Sequence, residues 1–177
     1  ANFSYAELRL ASFRGSDLSG AILDMANMEG ADFTDAILNP KWSAIINLLT
    51  TRNGANGNFT SQDISNAFLF NVNLNGAFLQ KANLSGSNLV KGTLLQADLS
   101  YANLKGSELS NANFEGANLA YANLQDARFY GTNLKSANLT GVDFTGLKFE
   151  SVNLTNAMVD QQQLDKAYLQ CVILPNG

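Results

Sequence analysis

Residues 97–106 read Ala-Asp-Leu-Ser-Tyr-Ala-Asn-Leu-Lys-Gly, which is one five-residue unit written twice. The unit consists of a small residue, an Asn or Asp, a large apolar residue and two further residues. We call the large apolar residue the centre. Centres recur every five residues from Phe3 to Leu38 and again from Phe59 to Leu174. A repeat that fills a chain in this way is typical of a solenoid.

The slots of the unit separate an inside from an outside. Every centre is apolar, the residue two before it is small in most repeats, and neither slot ever holds a charged residue. Because an unpaired charge is costly to bury, these two slots are predicted to point inward. A period of five fits neither an α-helix nor a long β-strand, but it fits a chain that turns a corner once per repeat.

Four such segments would close one coil in 20 residues, and successive coils would stack about 4.8 Å apart through parallel hydrogen bonds. Ten of the 14 glycines lie two residues after a centre, where a corner with positive φ would favour glycine. The Asn or Asp before a centre is expected to bond neighbouring backbone at the turn and to form stacked ladders. The pattern therefore predicts an all-β solenoid.

The units at 82–86, 97–106, 117–121 and 137–141 resemble those of the pentapeptide-repeat family. The end of the chain, at 163–167 and 174–177, is similar to that of cyanobacterial members. The resemblance implies a right-handed quadrilateral parallel β-helix and, as for most members, no settled biochemical activity. Two coils before the interruption described next and six after it give about eight coils in a single domain over 1–177.

One segment departs from the repeat. The centres Leu38 and Phe59 are 21 residues apart, which is not a multiple of five, so residues 39–56 are predicted to be an insertion. Asn39 and Pro40 are typical of the start of a helix. Apolar residues then follow with helical spacing at Trp42, Ile45, Ile46 and Leu49, which predicts an amphipathic α-helix near 40–50.

The chain accordingly divides into a first repeat block (1–38), the helical insertion (39–56) and a second repeat block (57–177) that ends in a C-terminal cap. The cap is expected to contain a helical turn near 160–166. Outward slots near the insertion carry the apolar residues Phe68, Phe70, Phe78, Val90 and Leu95. Together with the apolar residues of the helix, they form the candidate interaction surface.

Two interpretations of this surface remain open. The helix lies against the outside of the solenoid and covers part of the apolar surface, with Trp42 packed on it. Alternatively, the helix and the surface dock another protein or a second copy of the chain. An uncovered apolar patch of this size is unusual on a monomer.

The composition excludes several kinds of site. The chain has no His and a single Cys, Cys171, so it lacks Ser–His and Cys–His nucleophile pairs and the commonest metal ligand. We therefore predict no catalytic, cofactor-binding or metal-binding residues. The net charge of −4 arises from sparse, mixed charges, which predicts no nucleic-acid binding, and no apolar stretch is long enough to span a membrane.

The leading functional hypothesis is a non-enzymatic structural or protein–protein interaction scaffold with an unidentified partner. A first alternative, implied by the family resemblance, is a DNA mimic that binds DNA gyrase. Mimicry requires columns of acidic residues, whereas the acids here are interspersed with cations. An enzyme is the second alternative. The compartment is left open, with the cytoplasm favoured over the periplasm or the thylakoid lumen.

Overall fold

The backbone forms a parallel ladder that pairs residues 20 apart. The computed structural model describes residues 1–176. Bridges join Asn83 to Asn103 and Asn103 to Asn123, and the same spacing recurs along both repeat blocks. At most centres the amide donates to the next coil, as from Leu84 to the carbonyl of Asn103 at 2.7 Å. One turn therefore takes four five-residue segments, which we call sides.

Most of the ladder consists of single bridges, and regular elements are short. Residues 1–176 contain β1 Asp17–Leu18, β2 Ile37–Leu38, α1 Pro40–Thr51, β3 Phe129–Tyr130, β4 Lys148–Glu150, α2 Gln161–Leu164 and β5 Tyr168–Gln170. Strands β1 and β2 pair in parallel, and β3, β4 and β5 form a three-stranded parallel sheet in that order. The predicted all-β solenoid with one inserted helix is therefore confirmed.

The two slots that never carry charge form the core. Leu84 and Leu104 have no exposed surface, nor do the small residues Ala82 and Ala102 that precede them by two positions. Each large side chain removed from water stabilises the fold by about 1.5–3 kcal/mol. The predicted separation of inside and outside is thus confirmed.

The slot two residues after the centre forms the corner and adopts a left-handed backbone. Nine of the ten corner glycines have φ between +63° and +74°; Gly20 is the exception. Other residue types adopt the same conformation at this slot, including Lys81 (φ 59°) and Tyr101 (φ 60°). The left-handed region disfavours residues with a Cβ, so glycine is enriched here without being obligatory.

The Asn or Asp before the centre closes each turn. The Oδ1 of Asn103 accepts the amide of Lys105 at 3.2 Å, while its Nδ2 donates to Oδ1 of Asn83 at 3.1 Å. Asp98 acts in the same way. Burial raises the pKa of Asp98, but hydrogen bonds from Ser100, Gln80 and Asn118 together outweigh that effect, so the pKa is lowered overall. We call this arrangement the Asx turn.

Helix α1 starts where the sequence predicts. The side chain of Asn39 caps it by accepting the amide of Trp42, and Pro40 occupies its first position. Helix α1 replaces two sides of the solenoid. Ladder pairing stops at β2 and resumes with the bridge between Asn53 and Asn73. The amide of Met25 bonds the carbonyl of Asn66, so the two blocks stack with a shift of one residue.

The apolar face of α1 joins the core of the solenoid. Trp42, Ile45, Leu48 and Leu49 are each at most 2% exposed and belong to one cluster with the inward residues of both blocks. Gly54 stands at a centre position, where a larger residue would not fit. Cδ atoms of Leu48 and Leu74 lie 2.8 and 2.9 Å from the position that a Cβ of residue 54 would occupy. The expectation that the helix lies on the outer wall is wrong, since its apolar side chains fill an interior that the missing sides leave open.

Side chains replace the ladder where helices interrupt it. The guanidinium of Arg52, which follows α1, donates to the carbonyl of Phe68 and to Oδ1 of Asn27, thereby joining the second block to the first. Beside α2, which confirms the helical turn expected near 160–166, Nε2 of Gln163 donates to the carbonyls of Leu139 and Val142, both at 2.9 Å.

The left-handed corner can be tested with two glycines. A Cβ added at Gly146 (φ +74°) or at Gly20 would meet no atom within 4 Å, so only the backbone conformation distinguishes them. We expect Gly146→Ala to lower the free energy of unfolding by about 1–2 kcal/mol. Gly20→Ala should leave it unchanged or raise it by about 0.4–1 kcal/mol. Equal shifts in urea denaturation would contradict the corner assignment.

The junction between the blocks can be tested at Arg52. Arg52→Met removes the donors to the Phe68 carbonyl and to Asn27, and should lower the free energy of unfolding by about 1–3 kcal/mol. Arg14→Met is the control, because Arg14 is exposed and makes only a surface pair with Asp32. Its effect should stay within about 0.5 kcal/mol. Similar losses for both variants in chemical denaturation would show that Arg52 does not join the blocks.

Candidate interaction surface

The helical part of the predicted interaction surface is not available to a partner. Trp42, Ile45 and Leu49 are at most 2% exposed, and Ile46 is half-buried against the core. These four side chains are needed to fill the interior at the insertion. The structure therefore corrects the sequence interpretation and assigns them to packing.

The remaining predicted residues do not form one patch. Phe68 and Phe70 lie on one coil, and Val90 lies on the next coil of the same side, where Phe68 pairs with Asn88. Phe78 lies on another side, beside Asp98. Leu95 stacks above Asn75 on a third side, with its amide bonded to Oδ1 of Asn75 at 2.9 Å.

One side differs in chemistry from the other three. Its centres are Leu69, Leu89, Leu109, Phe129, Phe149 and Leu169, and we call it the aromatic side. The outward column before these centres is Phe68, Asn88, Glu108, Arg128, Lys148 and Tyr168. The outward column after them is Phe70, Val90, Ser110, Tyr130, Glu150 and Gln170.

The aromatic side lacks the Asx turn almost throughout. Of its six residues before a centre, only Asn88 is Asn or Asp, whereas the preceding side carries Asn or Asp on all five of its coils from Asp63 to Asp143. The amide of Val90 accordingly bonds Asn88 at 3.0 Å. Within residues 1–176, the amides of Phe70 and Ser110 donate no hydrogen bond. The other sides of the second block keep Asn or Asp on most coils, with exceptions such as Phe78 and Thr93. A local rule broken mainly on one side is typical of a functional surface.

The half of the aromatic side nearest α1 is apolar and overlaid by cations. The rings of Phe68 and Phe70 stack with their centroids 6.2 Å apart. The guanidinium of Arg52 lies 4.9 Å from the Phe68 centroid, and Nζ of Lys91 lies 5.7 Å from that of Phe70. Phe70 remains 38% exposed, so this ring offers a partly open contact.

The other half is polar and lies on the β3–β4–β5 sheet. Nη1 of Arg128 bonds Oε1 of Glu108 at 2.7 Å, but the Arg128 side chain remains 77% exposed. Lys148 and Glu150 make no ion pair with any residue among 1–176. Both line two adjacent concavities, of about 440 and 310 Å³. Exposed Tyr130 and Tyr168 stand at diagonally opposite positions around them.

The site residues predicted from the sequence do not include Arg128, Tyr130, Lys148, Glu150 or Tyr168. The prediction rests on the hydrophobicity of outward residues near the insertion, and these five are polar or distant from it. Sorting the slot before the centre by side, at steps of 20 residues, would have found Arg128, Lys148 and Tyr168, because it isolates the side with the fewest Asn and Asp residues.

Other kinds of site find no support in the described chain. Residues 1–176 hold no group of three or more His, Cys, Asp or Glu placed to bind a metal. Among the same residues, no helix has the length and apolarity needed to cross a bilayer. Acids stack beside neutral or cationic residues, with Glu108 next to Arg128 and Asp98 between Phe78 and Asn118, so no acidic column forms.

Comparison with known proteins finds solved structures that are similar to this chain. A pentapeptide repeat protein of Nostoc Pcc 7120 is 31% identical over 54% of this chain and 78% of its own, with a TM-score of 0.50. Rfr23 of the cyanobacterium Cyanothece 51142 is 31% identical with a TM-score of 0.44; the match spans 61% of this chain and 64% of Rfr23. QnrB1, a plasmid-mediated fluoroquinolone resistance protein, shares the fold with a TM-score of 0.53 and a sequence identity of 21%. The match covers 98% of this chain and 84% of QnrB1.

A comparison with curated protein sequences found no match. The family model for pentapeptide repeats matches in eight copies, over residues 1–39, 58–89, 97–135 and 117–156. These ranges cover most of the chain on both sides of α1 and coincide with the regular ladder. The chain belongs to the pentapeptide-repeat family.

Proposed function

We propose that this chain is a non-enzymatic protein-interaction scaffold that docks a partner protein on its aromatic side. The observation that carries the proposal is the loss of the Asn or Asp of the Asx turn at five of six coils on that side, compared with at most two coils on any other side of the second block. Each Asx turn supplies hydrogen bonds to the backbone, so replacing its Asn or Asp has a cost in stability. Selection for recognition explains why Phe, Arg, Lys and Tyr stand there instead.

The residues that replace the Asx turn are suited to protein contacts. Aromatic residues and Arg are enriched at protein interfaces and dominate their binding energy. In the second block the aromatic side carries the cations Lys91, Arg128 and Lys148 against the acids Glu108 and Glu150, a net charge of +1. The whole chain has a net charge of −4. This contrast favours a partner segment that brings acidic groups to the aromatic side.

The scaffold is proposed to be a right-handed quadrilateral rod of about eight coils. Its proposed divisions are 1–38, 39–56 and 57–177, with α2 and the residues after it as the C-terminal cap. The 20-residue ladder on both sides of α1 supports this architecture.

DNA mimicry is not favoured, because it needs stacked acids. Six salt bridges pair acids with cations among residues 1–176, including Lys135 with Glu115 and Lys105 with Asp126. Such pairing reduces the continuous negative field that a duplex presents.

The docking proposal is tested by cross-linking the tagged chain in its native cells and comparing variants. Phe70→Ser removes a 38% exposed ring from the aromatic side, and Phe78→Ser, the matched control, removes a 49% exposed ring from another side. We expect a cross-linked partner that the wild type and Phe78→Ser retain and that Phe70→Ser loses at least tenfold. Circular dichroism should be unchanged in both variants.

Two results would contradict the proposal. The first is equal retention of every cross-linked protein by Phe70→Ser and the wild type. The second is substrate turnover by the purified chain in a broad hydrolase screen, which would indicate an enzyme.

A further inference from the structure

We propose that the outward surface of β4 binds an extended peptide segment that carries one acidic and one basic side chain two residues apart. This inference rests on the proposed docking function and names the chemistry of the segment that the aromatic side receives. It concerns the polar half of that side, on the β3–β4–β5 sheet.

The first support is the spacing of two unpaired charges. Lys148 and Glu150 point outward from the same strand, and two residues of strand span about 7 Å. The two side chains form no ion pair with each other, and neither pairs with any other residue among 1–176. Alternate side chains of an extended peptide have the same spacing, so one segment can neutralise both charges.

The second support is the shape around these charges. Both concavities, of about 440 and 310 Å³, are lined by Lys148 and Glu150, so β4 is the ridge that a bound segment would follow. Tyr130 and Tyr168, 53% and 67% exposed, offer ring faces on the two flanking coils. The amide of Ser110, which donates no hydrogen bond to residues 1–176, lies at the edge of the larger concavity and can donate to a backbone carbonyl.

The charges also distinguish a peptide from a nucleic acid. The acid of the segment would face Lys148 and the exposed guanidinium of Arg128, and its base would face Glu150. A row of phosphates would place negative charge against Glu150 and against Asp126, which lines the larger concavity. Like charges placed opposite each other are strongly unfavourable at an interface.

The test titrates the ¹⁵N-labelled full chain with three synthetic peptides of equal length. Each has the form Thr-Tyr-X-Val-Z-Tyr-Thr with blocked ends, and X and Z are Glu and Lys, Glu and Glu, or Lys and Lys. We expect the mixed peptide to shift the amide resonances of Tyr130, Glu150 and Ser151. It should bind roughly fivefold more tightly than either like-charged peptide, as expected when one exposed ion pair is lost.

Charge reversal provides the matched variants. Lys148→Glu should prefer the Lys–Lys peptide, and Glu150→Lys should prefer the Glu–Glu peptide. Lys135→Glu is the control, because Lys135 pairs with Glu115 on another side; it should keep the wild-type preference. These reversals are at exposed positions, so the dispersion of the amide spectrum should show that all variants are folded.

Three outcomes would overturn the inference: no peptide shifts the resonances of the aromatic side, the preferences ignore the charge reversals, or a 20-nucleotide single-stranded DNA binds there more tightly than the mixed peptide. If the peptides fail while Phe70→Ser still loses a cross-linked partner, the inferred segment chemistry is wrong and the docking function stands.

Discussion

The hydrogen-bond ladder between residues 20 apart is the constraint on which the rest of the structure depends. Because each coil must lie in register with the next, every slot of the repeat is stacked into a column. The inward columns become one continuous core, and the corner column is held in the left-handed conformation. Residues such as Lys81 and Tyr101 accept that conformation because ladder bonds on both sides of the corner hold the backbone there.

Interruption of the ladder has visible consequences at the two helices. Where α1 removes two sides, four of its apolar residues occupy the interior, and Gly54 leaves room for Leu48 and Leu74. Arg52 and Gln163 then supply side-chain donors to carbonyls near the interruptions. Each helix is therefore tied to the solenoid by apolar packing or by a polar side chain that replaces backbone pairing.

Most of the fold follows from the sequence because the repeat is unambiguous. The absence of charge from two slots identifies the core, and Asn39 with Pro40 identifies the start of α1. The side on which α1 packs could not be predicted, because its apolar face is compatible with both an outer wall and an open interior. The role of Arg52 was also hidden, since a single Arg after a helix carries no pattern that points to Asn27 or Phe68.

The candidate site was predicted only in part. Hydrophobicity identified Phe68, Phe70 and Val90, which do lie together, but it also selected Trp42 and Leu49, which are core residues. Lys148 and Glu150 are ordinary surface charges in a linear sequence. They become informative only when the ladder places them on the side that has lost the Asx turn at most of its coils, between Tyr130 and Tyr168.

The central claim is that the aromatic side has given up turn hydrogen bonds that the other sides keep on most of their coils. Amide hydrogen exchange measured by NMR tests it most directly at Val90 and Ser110, which occupy the same slot on neighbouring coils. The Val90 amide bonds Asn88 at 3.0 Å, whereas Ser110 follows Glu108 and its amide donates no hydrogen bond within residues 1–176. The account predicts that Ser110 exchanges roughly tenfold faster than Val90, the ratio that corresponds to about 1.4 kcal/mol, within the range for an unmade hydrogen bond. It also predicts that Glu108→Asn slows Ser110 to the rate of Val90. Equal exchange at the two amides in the wild-type chain would contradict it.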